Sequence, residues 1–212
     1  MESLETETDR VVEPVVYVID DDKHMRDALL DLFLVTHRQA SAYASGSEFL
    51  AAVDTTGPGC IVIDLRMPGE TGLDVQSRLI STGSRMPVIF LTAHADVAAS
   101  VRAMKAGACD FLTKPFVTHD LLAAVDNAIR MDGERRKLEA ERDHVEALAH
   151  TLTPREQQVM FGVVSGLMNK QVAYELGISE MTVKLHRMSV MRKMHSRSLA
   201  DLVRKVEKLR KN

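Results

Sequence analysis

Residues 15–22 read Val-Val-Tyr-Val-Ile-Asp-Asp-Asp. Five uncharged, β-prone residues run directly into three carboxylates. Strand alternation alone gives no reason for such a step. Working outward, four further short β-rich runs follow at Gln39–Tyr43, Cys60–Ile63, Pro87–Leu91 and Asp110–Leu112. Between the first two, Met25, Ala28, Leu29, Leu32, Phe33 and Thr36 recur at helical spacing. Thr71-Gly-Leu-Asp74 has the form of a capping box before a third helix. Val97, Val101 and Met104 mark a fourth helix, and Leu121, Leu122, Val125, Ala128 and Ile129 a fifth. Alternating β and α units with near-continuous apolar strands imply an α/β fold, a doubly wound parallel sheet covered on both faces. The expected strand order is 2-1-3-4-5.

In such a sheet, functional groups gather at the carboxyl ends of the strands, where the order reverses. Asp20-Asp21-Asp22 follow the first run and Asp64 the third. Thr92 follows the fourth, and Thr113-Lys114-Pro115 the fifth. Carboxylates brought together repel one another unless a cation sits among them. A small hard cation with oxygen ligands, most simply Mg²⁺, solves that problem and also neutralises phosphoryl oxygens. A carboxylate can act as the nucleophile that forms an aspartyl-phosphate. A lysine and a threonine hydroxyl can then stabilise the transferred group. Asp22, third in the acidic run, is expected to cap the first helix.

The series VIDDD, DLRMPGETG, FLTAH and FLTKPF resembles two-component receiver domains from about Val15 to Arg130. The resemblance implies that Asp64 is the phosphoacceptor. It implies that Asp20, Asp21, Asp64 and the backbone carbonyl of Arg66 hold Mg²⁺. Thr92 is then the switch hydroxyl, Lys114 pairs with the phosphoryl group, and Phe111 is the switch aromatic. The Lys114–Pro115 bond is expected to be cis. In that family the positions of Arg66 and His94 flank the water that attacks the phosphoryl group, so the resemblance implies that these two residues affect phosphoryl lifetime.

Net charge divides the 212-residue chain. Residues 1–131 carry 19 acidic and 11 basic side chains, residues 132–150 carry 6 and 4, and residues 151–212 carry 5 and 12. An acidic front and a basic back imply two domains with different partners, the basic one fitting a nucleic acid. Residues 1–13 are expected to be a disordered tail, 14–131 the receiver, 132–150 a helical linker and 151–212 a DNA-binding domain. No apolar run reaches membrane-spanning length, and the acidic N-terminus is unlike a signal peptide, so a cytoplasmic protein is expected. Cys60 and Cys109 lack metal-ligand spacing and read as buried small residues. Met131, Leu138, Val145 and Leu152 recur every seven residues. That stripe fits either a linker that pairs two chains or a single solvated helix.

Thr153-Pro-Arg-Glu156 announces a new helix with an N-cap, a first-turn proline and a closing glutamate. Gly166 and Gly177 fall where helices end. Four short helices are expected at about 154–165, 169–176, 180–194 and 198–208. Val183, Val190 and Met194 should face inward, while Lys184, Leu185, Met188 and Arg192 face out. Methionines after residue 155 are expected to fill core, except Met181 and Met188.

Leu152 to Val206 resembles the LuxR-type helix-turn-helix, and the two halves together resemble the FixJ/NarL class of regulators. The resemblance puts Lys184, Leu185 and Met188 against bases. An apolar contact to a thymine methyl would explain the exposed leucine and methionine. Asn169, Lys170, Thr182, Arg187 and Lys193 are the expected phosphate contacts. It further implies a sensor histidine kinase as phosphodonor and double-stranded DNA as partner, with RNA polymerase as a further contact. A homodimer is expected on phosphorylation, through a face bearing Val101, Lys105 and Asp110. The protein is expected to be a phosphoacceptor rather than an enzyme. Two competing readings are a phosphorylation-independent DNA binder and a metal-dependent phosphatase. Such phosphatases commonly carry an acid two residues after the nucleophile, where this chain has Arg66.

Overall fold

The computed structural model describes residues 12–93 and 97–210. His94 and the first eleven residues lie outside that range. The described chain divides into two compact units, the first ending at Arg135 and the second beginning at Arg136.

The first unit alternates β1 (Val15–Ile19), α1 (Lys23–Val35), β2 (Gln39–Tyr43), α2 (Gly46–Ala52), β3 (Gly59–Asp64), α3 (Gly72–Ser81), β4 (Val88–Thr92), α4 (Val97–Lys105) and β5 (Asp110–Thr113). Helix α5, Thr118–His150, starts in this unit. All strand pairs are parallel, in the order β2-β1-β3-β4-β5. The central strands show why. Ile61, Ile63, Val88 and Phe90 pack with Phe49 of α2, Val75 and Leu79 of α3 and Ala103 of α4. Their neighbours Cys60, Val62, Ile89 and Leu91 pack on the other face with Leu29 and Phe33 of α1 and Leu121 and Val125 of α5. A strand that alternates between two buried faces must be apolar throughout.

The helix starts follow their capping chemistry. Asp22 accepts from the His24 N–H. Thr71 and Asp74 close a reciprocal capping box. Helix α2, which the periodicity does not mark, begins on Ser45, whose hydroxyl accepts from Glu48 N, while Glu48 accepts from Ala44 N. The first unit runs past residue 131 because Asp132 is buried and accepts from Gly59 N at 3.2 Å.

In the second unit, the end of α5 is joined by α6 (Pro154–Val164), α7 (Asn169–Leu176), α8 (Glu180–Lys193) and α9 (Leu199–Arg210). Thr153 and Glu156 cap α6 reciprocally, with proline in the first turn. Gly177 ends α7 at φ 66°, the left-handed conformation that glycine adopts without penalty. Val145 and Leu152 are buried with Met160, Val190, Met194, Leu202 and Val206. Half of the seven-residue stripe is therefore spent within one chain. Only Met131 and Leu138 remain exposed, too little for a continuous pairing seam.

Two expectations need correction. Cys109 is only half-buried, because it sits at the entry to the edge strand β5, whereas Cys60 is central and fully buried. Met168 does not fill core: it precedes α7 with its side chain 73% exposed.

Candidate functional site

The sheet topology brings the carboxyl ends of β1, β3 and β5 together. Asp20, Asp21 and Asp64 each offer an oxygen, and these atoms lie within 4.8 Å of one another. Lys114, just past β5, donates from Nζ to Asp20 Oδ2 and to Asp64 Oδ2, both at 2.6 Å. Asp20 is buried, Asp64 half-buried and Asp21 exposed, so the cluster opens to solvent on one side. Burial pushes the Asp20 carboxyl above the usual carboxylate range, against the pull of the Lys114 hydrogen bond. Burial opposes the Lys114 charge, but its hydrogen bonds to Asp20 and Asp64 outweigh that and raise its pKa. Three oxygen donors and no nitrogen or sulfur make a hard-cation donor set, which fits Mg²⁺.

Local backbone contacts fix these groups. The Arg66 N–H donates to Asp64 Oδ1 at 3.0 Å, holding the segment after β3 against the acid. The Arg66 side chain is exposed. Thr92 ends β4 fully buried, and its carbonyl accepts from Lys114 N at 2.6 Å. The Lys114–Pro115 peptide is cis. Phe111 is half-buried, its ring centroid 6.4 Å from that of Phe90. Val101 and Lys105 are exposed, and Asp110 Oδ1 accepts from Phe111 N at 2.7 Å.

Two positioning groups escape a reading of motifs. Arg26 Nη1 donates to the carbonyls of Asp20 (2.7 Å) and Asp21 (3.0 Å). It lies one turn into α1, so its distance of five and six residues from the acids was the available signal. Gly72 is the second: a Cβ there would lie 2.6 Å from Asp64 O and 2.9 Å from Phe90 Cε1. Only glycine lets α3 approach the strand that ends in Asp64 this closely.

In the second unit, α8 presents two faces. Val183, Val190 and Met194 are buried. Lys184 and Arg192 are exposed, as are Met181, Leu185 and Met188 at 64%, 59% and 68%. Lys170 is exposed, and Thr182 is half-buried with Oγ1 2.8 Å from Ser179 Oγ. Arg187 Nη1 donates to Asn169 Oδ1 at 3.2 Å. Lys193 donates to Glu156 Oε2 at 2.7 Å and to Thr151 O at 3.1 Å. The hydrogen bond from Lys193, with those from Ser189 and Thr153 N, holds the Glu156 carboxyl down at about 2. No described helix is long and apolar enough to cross a membrane.

Residues 16–126 match the response regulator receiver domain model, and residues 150–206 match that of bacterial regulatory proteins of the luxR family. The chain is 45% identical over 202 residues to nodulation protein W of Bradyrhizobium diazoefficiens, covering 95% of this chain and 89% of that protein. It is 41% identical over 189 residues to the transcriptional regulatory protein FixJ of the same organism, covering 89% and 92%. Among solved structures, the response regulator StyR superposes with a TM-score of 0.84 at 44% identity, covering 92% of this chain and 99% of that one. The chain therefore belongs to the two-component response regulators of the FixJ/NarL class, with a receiver domain followed by a LuxR-type DNA-binding domain.

Proposed function

We propose that Asp64 takes a phosphoryl group from a sensor histidine kinase and that this event controls DNA binding by the second unit. The observation that carries the reading is the convergence of the Asp20, Asp21 and Asp64 carboxylates in an open-sided site, with the Lys114 ammonium bonded to Asp20 and Asp64. An Asp64 carboxylate oxygen attacks phosphorus as the bond to the donor histidine nitrogen breaks. The residues that would hold Mg²⁺ are Asp20, Asp21, Asp64 and the Arg66 carbonyl, and the ion supplies charge neutralisation to the phosphoryl oxygens. Lys114 then pairs with the new phosphoryl oxygens, and the Thr92 hydroxyl turns toward them. Phe111 repacks inward in response, altering the face that bears Val101, Lys105 and Asp110. That face pairs two chains.

The domain division that goes with this reading is a tail over 1–13, a receiver over 14–131, a helical linker over 132–150 and a DNA-binding domain over 151–212. Lys184, Leu185 and Met188 read bases in the major groove. Lys170, Thr182, Arg187 and Asn169 bind phosphates. Lys193 reaches a phosphate only by giving up its bond to Glu156. Regulation of transcription places the protein in the cytoplasm, with RNA polymerase as a further partner. A test compares DNA affinity of wild type and Asp64→Ala after phosphodonor treatment, with mass measurement in beryllofluoride. Tighter DNA binding and dimerisation in wild type alone are expected. Equal affinity in both proteins would favour phosphorylation-independent binding.

A further inference from the structure

A cavity of about 750 Å³ opens at the amino ends of β4 and β5, the opposite end of the sheet from the acidic cluster. It lies between the C-terminal turns of α3 and α4 and the Met131–Arg135 turn of α5. Its size is within the range of small-molecule sites.

Its wall has a specific chemistry. Leu79, Met86, Val88 and Ala108 contribute buried apolar surface, and Ile80 and Met131 are large apolar side chains left exposed beside it. Gln76 lines the same space while only 3% exposed. Its Nε2 donates to Ala106 O at 3.3 Å, but no donor among the described residues reaches its buried Oε1. An unmet buried acceptor is destabilising unless something donates to it. The wall's buried charge is already balanced: Asp132 is paired with Arg135 and accepts from Gly59 N. Arg85, the other charged residue in the lining, is exposed.

We propose that this cavity binds a small, neutral, largely apolar molecule bearing one N–H or O–H donor, which donates to Gln76 Oε1. The apolar body sits against Leu79, Met86 and Val88. Asp132 and Arg135, paired with each other, offset one another's charge, which favours a neutral ligand over an ionic one. Nothing in this site overlaps Asp20, Asp64 or Lys114.

Indole and phenol supply the donor and an apolar ring; 1-methylindole keeps the ring without the donor. Each is titrated into the full-length protein and followed by two-dimensional amide NMR. Saturable shifts at Gln76, Ala106 and Ala108 are expected for indole or phenol, with 1-methylindole about tenfold weaker. Gln76→Met should weaken indole by a similar factor. Ala106→Phe, which fills the space from an exposed position, should abolish its binding while leaving shifts elsewhere unchanged. The proposal is overturned if neither donor probe saturates, if 1-methylindole binds as well as indole, or if Ala106→Phe binds like wild type.

Discussion

Lys193 Nζ lies 2.7 Å from Glu156 Oε2, tying the last turn of α8 to the first turn of α6. Ser189 Oγ donates to Glu156 Oε1 at 2.5 Å, and Thr153 N donates to Oε2 at 2.8 Å. One carboxylate thus caps α6 and anchors α8.

The acid response of the second unit follows from that carboxylate. Its pKa is held at about 2 against an ordinary 4.5. A depressed folded pKa stabilises above the unfolded value and is lost as pH falls through the folded one. Glu156 therefore withdraws stability as pH drops from 4.5 toward about 2. Urea melts followed by circular dichroism should show a shallower acid limb for Glu156→Gln than for wild type. Limbs of equal steepness would contradict this role.

Two lysines should separate stability from DNA affinity. Lys193→Ala removes a charge-assisted bond to a buried partner and should cost about 1.5–3 kcal/mol of stability. Lys170 is exposed, so Lys170→Ala should change stability by less than about 0.5 kcal/mol. It should instead weaken DNA binding evenly across sequences and reduce the salt slope by about 1. Melts and binding titrations across salt concentrations check both; exchanged phenotypes would reverse the assignments.

The exposed apolar residues of α8 should matter for sequence, not folding. Leu185→Ala and Met188→Ala should leave melting unchanged. Each should cost about 1–3 kcal/mol of affinity on the preferred site. The loss should concentrate at particular base pairs when single-position site variants are compared. A uniform loss across all variants would place these residues away from bases.

Gly72 gives a test of how the receiver holds its acid. In Gly72→Ala, a methyl group would sit 2.6 Å from the Asp64 carbonyl. Overpacking of this kind costs about 1–3 kcal/mol. Displacement of Asp64 should also slow phosphoryl uptake from acetyl phosphate. Unchanged uptake and stability would mean that α3 can retreat freely.

Much of the molecule was legible because its signals are local. Strands that alternate between two buried faces have to be apolar throughout, as Cys60–Ile63 and Val88–Leu91 are. The capping boxes at Thr71 and Thr153 announce their helices within four residues. Helix α2 is only seven residues long, too short for a periodic stripe, although Ser45 and Glu48 carry its capping signature. What depends on distant partners was hidden. Lys193 reads as one more cation of a basic domain until Glu156, 37 residues away, is seen beside it. Val145 and Leu152 read as part of a stripe that fits either a pairing seam or a solvated helix until α8 and α9 cover them. The cluster at Lys114 was reachable because strand order, inferred from local signals, dictates which loop ends meet.

The most direct measurement is phosphoryl uptake from acetyl phosphate, with and without Mg²⁺, by wild type and Asp64→Asn. The account predicts Mg²⁺-dependent uptake of one phosphoryl group by wild type and none by the variant. Uptake that persists in Asp64→Asn, or that is indifferent to Mg²⁺, would contradict the assignment of Asp64, Asp20 and Asp21 as the site of this chemistry.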